Sequence, residues 1–191
     1  MMAKVSTEQE FRQVLKACRD LFAKKLHDYG AAWRIMRPAS ITDQLYIKAN
    51  RIRTLETTES LVDEGIVPEF VGLFNYSVVG MIQLAEGALP KPDGCSPEDA
   101  LRLYDQHAEA SLQLMLRKNH DYGEAWRAMR VSSYTDLILM KIFRTKQIEE
   151  LDGKTLVSEG IAANYADIMN YAAFALIRLV VEQEATPQHE V

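Results

Sequence analysis

Apolar residues recur every three to four positions in three stretches of this chain, and the pattern returns 93 to 95 residues later. In the first stretch Phe11, Val14, Leu15, Cys18, Leu21 and Phe22 mark one helical face, which predicts a helix from about Thr7 to His27 with a glycine just past its end. Its counterpart runs from about Pro97 to His120. A second helix is expected to begin at Ser40-Ile-Thr-Asp43, and again at Ser133-Tyr-Thr-Asp136, where a serine followed three residues later by an acid is close to a capping box. The third runs from about Ile66 to Glu86 and from about Ile161 to Glu184. It is apolar nearly all round, which marks it as the central element of the fold.

The recurrence is a tandem duplication. At an offset of 93, about half of the residues from His27 to Glu56 are identical to those from His120 to Glu149, far above chance for a fixed-offset comparison. The offset then grows to 95, and Glu64-Gly65-Ile66 matches Glu159-Gly160-Ile161 while Asn75-Tyr76 matches Asn170-Tyr171. Between the copies, "GALPKPDGCSP" holds three of the six prolines and cannot continue a helix. Residues 1–88 therefore read as the first repeat, 89–97 as the linker and 98–191 as the second. Neither copy alone would bury so apolar a third helix, so the expected fold is an all-α bundle of two three-helix repeats fused through these helices around a pseudo-twofold axis. A membrane span is the weaker reading, because Asn and Tyr interrupt both third helices, Asp and Arg also interrupt the second copy's, and no clean run of ~20 apolar residues exists.

Composition adds boundaries. With 48% apolar residues the 191-residue chain can fill a core, and its net charge of −5 supplies no global positive field for DNA in general. The opening "MMAKVSTEQEF" lacks the apolar core of a signal peptide. Cys18 and Cys95 form neither a disulfide framework nor a Cys-x-x-Cys site, so a cytoplasmic location is expected.

The candidate chemistry lies in the repeated polar residues. In His-Asp-Tyr-Gly, Gly30 and Gly123 suit a left-handed helix end, and His27 and His120 suit the negative helix terminus. Asp28 and Asp121 oppose that dipole, which leaves two explanations: an ion pair with an arginine of the following Trp-Arg-x-Met-Arg segment, or metal binding. Lys48 with Arg51, and Lys141 with Arg144, share a helix face and form either a solvated charged surface or a phosphate site. Trp126 and Tyr122, like Trp33 and Tyr29, are either packing or a wall for a base. Asn75 and Asn170 sit among apolar residues, and each amide needs a partner inside the protein or a ligand. Asp167 stands three residues before Asn170, where the first copy has Gly72, so the two sites cannot be equivalent.

These motifs resemble the family called nucleotide modification associated domain 1. The matching residues are Lys118-Asn119-His120-Asp121-Tyr122-Gly123, then Lys141 with Arg144, Glu159, and Asp167-Ile-Met-Asn170-Tyr171. In the first copy Lys25, His27 to Gly30, Lys48, Arg51, Glu64 and Asn75-Tyr76 match, with Leu26 for the motif Asn and Gly72 for the helix Asp. The resemblance covers nearly the whole chain and implies an association with nucleotide modification. A weaker likeness, limited to one half of an acidic motif, connects Glu159 and Asp167 with the all-α nucleoside triphosphate pyrophosphohydrolases. The leading expectation is a protein that binds a nucleotide between its helices, with Lys118, Lys141 and Arg144 on phosphate and Asn119, Tyr122, Trp126 and Asn170 around the nucleotide; in its hydrolytic version Asp121, Glu159 and Asp167 hold Mg²⁺. The rival expectation is a non-catalytic helical adaptor whose repeated polar residues form a buried network. Such a fused pair could associate again into a homo-oligomer.

Overall fold

The computed structural model describes residues 6–62, 64–154 and 159–184, and among these the chain is helical, with no strand. Its helices are α1 (Thr7–Tyr29), α2 (Pro38–Leu55), α3 (Val67–Glu86), α4 (Pro97–Tyr122), α5 (Val131–Glu150) and α6 (Ile161–Leu176). Short 3-10 turns, Ala32–Ile35 and Ala125–Ala128, join the first helix of each copy to its second, and a further one, Pro92–Gly94, lies in the linker. Beyond α6 a π-turn, Ile177–Val181, leads into a last helical turn, Glu182–Glu184. The outer ends of the two repeats, residues 1–5 and 185–191, lie outside the described residues.

Equivalent helices pair across the copies. α3 packs on α6, α2 on α5 and α1 on α4, so each layer of the bundle takes one helix from each repeat, and the pseudo-twofold arrangement expected from the duplication is present. The α3–α6 pair is the most extensive contact and carries much of the core, including Phe70, Leu73, Phe74, Val78, Ile82, Tyr165, Ile168 and Met169. A fully buried side chain of this kind stabilises the fold by roughly 1.5–3 kcal/mol. Separating the copies would expose that surface. Among the described residues no helix is long and apolar enough to cross a membrane.

Reciprocal polar pairs confirm the symmetry. Thr42 of α2 donates to Glu149 of α5 at 2.6 Å, and its counterpart Thr135 donates to Glu56 at 2.7 Å. Lys146 pairs with Asp43 at 2.5 Å, and Arg53 lies 3.6 Å from Asp136. These contacts correct the expected capping boxes. α2 begins at Pro38 and α5 at Val131, with no side-chain cap at Arg37 or Arg130. In α2 the fixed φ of a proline starts the helix. Asp43 and Asp136 thus lie inside their helices and pair across the interface instead.

At the centre the helices approach closely. A Cβ built on Gly80 of α3 would lie 2.7 Å from the ring of Tyr165 in α6, whose hydroxyl is 2.7 Å from Thr42 Oγ1 and 3.2 Å from the Pro38 carbonyl. The ring is fully buried and tethered at its tip, so it has nowhere to move. Gly80→Ala gains about 1 kcal/mol of helix propensity against an overpacking cost of about 1–3 kcal/mol. The clash should win, and a lower urea midpoint than wild type is expected. An unchanged or higher midpoint would refute the close approach.

Glu149 supplies a pH dependence. Burial pushes its carboxyl above the ordinary glutamate value of 4.5 against the opposing hydrogen bond from Thr42, with nearby Asp43 raising it further and Lys146 lowering it. The folded chain therefore holds this proton where the unfolded chain has already released it, and this contribution to stability falls as pH rises above 4.5. Glu149→Gln retains an acceptor for Thr42 and should flatten that fall in urea titrations from about pH 4 to pH 7. A profile parallel to wild type would show that Glu149 is not the group responsible.

Candidate functional site

The C-terminal half of α1 and the facing side of α3 line a cavity of about 500 Å³ in the first copy. α1 ends at Gly30, whose φ of 61° reverses the chain with no Cβ in the way. The 3-10 turn that follows brings Trp33 and Met36 against the cavity. α2 contributes Lys48, while α3 contributes Val71, Gly72, Asn75 and Tyr76. Lys25 and Tyr29 of α1 complete the rim. The lining is apolar and aromatic apart from two lysines and Asn75, and it includes no acidic residue.

Buried hydrogen bonds hold this wall. Gln83 of α3 donates to the carbonyls of Arg34, at 3.0 Å, and Met36, and accepts from the Arg34 guanidinium. The second copy has Arg178 in place of Gln83, donating to the carbonyls of Arg127 and Met129 at 2.6 and 3.0 Å. Asn75 is satisfied inside the protein: it donates to the Cys18 carbonyl at 3.1 Å and accepts from the Tyr104 hydroxyl at 2.6 Å. The counterpart of Tyr104 is Phe11, which has no hydroxyl to offer. Accordingly Asn170 Oδ1 is buried with no hydrogen-bond partner among the described residues.

The cations differ between copies because one acid has moved by about a helical turn. In the first copy Glu69, nearly buried, accepts from Arg51 at 2.5 Å and Lys48 at 3.3 Å. Glu64 is exposed and 3.9 Å from Arg51, and its carbonyl accepts from the same guanidinium. Lys48 Nζ lies 5.8 Å from the centre of the Tyr76 ring. Lys25 makes no ion pair among the described residues. In the second copy Asn164 replaces Glu69, and Asp167, in the place of Gly72, sits 2.6 Å from Lys141 and 3.6 Å from Lys118. Arg144 is exposed there.

The other predicted residues scatter. Asp28 and Asp121 are exposed and each lies 3.3 Å from the adjacent histidine, His27 or His120, rather than pairing with an arginine. Asn119 donates to Glu124 at 3.0 Å. Glu124 occupies the left-handed region at φ 62°, unfavourable for a residue with a side chain, and accepts also from Thr7 at 2.5 Å and Arg127 at 2.6 Å. Burial alone would raise its carboxyl; these donors outweigh burial and hold it below the usual glutamate range. Trp126 stacks on Phe174 at 4.4 Å beneath the Arg127 guanidinium and is buried, so it packs rather than forming a wall. Tyr122 is 74% exposed at the end of α4.

Mg²⁺ does not fit this arrangement. Among the described residues no three of His, Cys, Asp and Glu gather as a metal-binding group. Asp121 and Glu159 are exposed and Asp167 is committed to lysine, so the structure does not bring the three together. What it does bring together was only partly legible. Lys25 and Trp33 recur in both copies, whereas Gly72 stands out in the sequence only because the second copy has Asp167 there. A glycine inside a helix costs about 1 kcal/mol relative to alanine, and that cost is the available clue that an absent side chain has a use here.

Comparison with curated proteins and with solved structures yields no significant match. The sequence model of nucleotide modification associated domain 1 matches twice, over residues 25–84 and 118–179, which together make up more than half of the chain. Each matched segment opens at the lysine ahead of His-Asp-Tyr-Gly, Lys25 or Lys118, and ends within the third helix or its π-turn continuation. The chain therefore belongs to the nucleotide modification associated domain 1 family, as two tandem copies of that domain.

Proposed function

We propose that the protein binds a nucleotide in the cavity of the first copy. The observation that carries this reading is the combination of an aromatic and apolar wall at Trp33, Tyr29 and Val71 with a cationic side at Lys25 and Lys48, around about 500 Å³. That volume lies within the ~300–1,000 Å³ usual for small-molecule sites. A flat base suits the aromatic wall and a phosphate suits lysine, which acts as a mobile point charge. The family's association with nucleotide modification supports the same ligand class. With no carboxylate in the lining, the cavity supports binding and offers nothing for metal-dependent hydrolysis.

The adaptor reading draws on the cross-copy pairs of Thr42 with Glu149 and Thr135 with Glu56. Such pairs explain why the copies lock together but leave the cavity without a use. A single-tryptophan protein separates the two readings, because Trp126 is buried against Phe174 while Trp33 lines the cavity. In Trp126→Phe, common nucleosides and nucleotides should change Trp33 emission saturably. They should also raise stability, by about 2.7 kcal/mol at a hundredfold excess over Kd. Val71→Phe, which adds bulk to the wall, should weaken both responses. No response to any of these compounds in folded protein would reject the proposal and favour the adaptor.

A further inference from the structure

The geometry points to a phosphate subsite over Gly72, between Lys25 and Lys48, whose counterpart in the second copy is permanently filled by the protein's own Asp167. Asp167 is largely buried and places its carboxylate 2.6 Å from Lys141 and 3.6 Å from Lys118. Those lysines are the counterparts of Lys48 and Lys25, and Asp167 is the counterpart of Gly72. In the first copy the lysines remain, the carboxylate is gone, and Lys25, Lys48 and Gly72 line the cavity beside the place where it would stand. Glu69 does not replace it. It is already bound by Arg51 at 2.5 Å, takes one contact from Lys48 at 3.3 Å, and leaves Lys25 without an ion pair among the described residues.

The Lys48 tail takes the place that the missing side chain leaves. A Cβ on Gly72 would lie 2.6 Å from Lys48 Cδ and Cε and 3.0 Å from its Nζ, so the lysine tail lies directly over the glycine. An anion entering from the cavity meets that ammonium, which has donors beyond the one directed at Glu69, and the unpaired Lys25. Two lysines that face one internal carboxylate in one copy therefore face an external anion in the other. The subsite is single: one phosphate per chain, at the first copy. The nucleotide reading supplies the identity of the rest of the ligand, and this inference rests on it only to that extent.

The test uses the full chain and three probes: inorganic phosphate, the four common deoxynucleosides, and their 5′-monophosphates. Phosphate should raise the melting temperature more than chloride at equal ionic strength, and a monophosphate should bind more tightly than its nucleoside, at one per chain. Gly72→Asp reproduces the second copy's arrangement, and the atoms it meets belong to a flexible lysine tail. It should abolish the phosphate response and cost the monophosphate roughly tenfold or more in affinity, while the nucleoside is held within a few-fold. Lys25→Met, at an exposed position, should give the same loss and guards against misfolding of the first variant. Equal stabilisation of wild type and Gly72→Asp by phosphate, or two monophosphates per chain, would overturn the subsite. If phosphate responds as described but no nucleoside or nucleotide binds, the subsite stands and the nucleotide proposal falls. If nucleotides bind Gly72→Asp as well as wild type, the nucleotide proposal stands and the subsite falls.

Discussion

The burial of α3 against α6 governs this molecule. Each helix is apolar nearly all round, and a single three-helix repeat has no second layer to cover it. The approach is close enough that Gly80 must lack a side chain for the Tyr165 ring to fit. Water is excluded from the seam, so the polar groups beside it have to find partners within the protein. Thr42, Thr135, Glu56 and Glu149 do so across the copies, and the contact becomes specific as well as hydrophobic.

Once the central layer held the copies together, the surrounding residues were free to differ, and the differences are paired. Gln83 and Arg178 support the same 3-10 turn with an amide in one copy and a guanidinium in the other. Tyr104 satisfies Asn75, whereas Phe11 at the equivalent position leaves Asn170 Oδ1 without a partner among the described residues. Leu26 lines the first-copy cavity and Ala31 is buried, while their counterparts Asn119 and Glu124 form a polar knot with Arg127 and Thr7. The first half carries an apolar cavity with Lys25 unpaired at its edge among the described residues; the second sets the carboxylate of Asp167 against Lys141 and Lys118. A duplicated fold can differ in this way because the layers shared by the two copies preserve the scaffold while the residues around them change.

Much of the fold was legible in the sequence because the duplication reported every helix twice. Periodicity placed the first helix of each copy, a cap-like Ser-x-x-Asp pattern the second and a nearly continuous apolar run the third, and the prolines of the linker separated the copies. Helix starts were less legible: the Ser-x-x-Asp pattern at Ser40 and Ser133 reads as a cap locally, yet Asp43 and Asp136 serve partners that are distant in sequence. The same limit applied to the site. His-Asp-Tyr-Gly drew the eye by its recurrence, but its aspartates stand in solvent beside histidines, and recurrence cannot separate a helix-ending element from a ligand-binding one.

The sequence by itself determined the all-helical class, the tandem repeat and the inequivalence of the two sites at Gly72 and Asp167, since each follows from local periodicity or from comparing the chain with itself, and the family through the resemblance of its motifs. Only the tertiary structure showed the cavity of the first copy. The difference between the copies lies in whether a carboxylate stands between two lysines drawn from different helices, and in which hydroxyl reaches which asparagine from the other repeat. Such relations join residues far apart in the chain, and distances of a few ångströms between them are set by packing, which no spacing along one strand of sequence records.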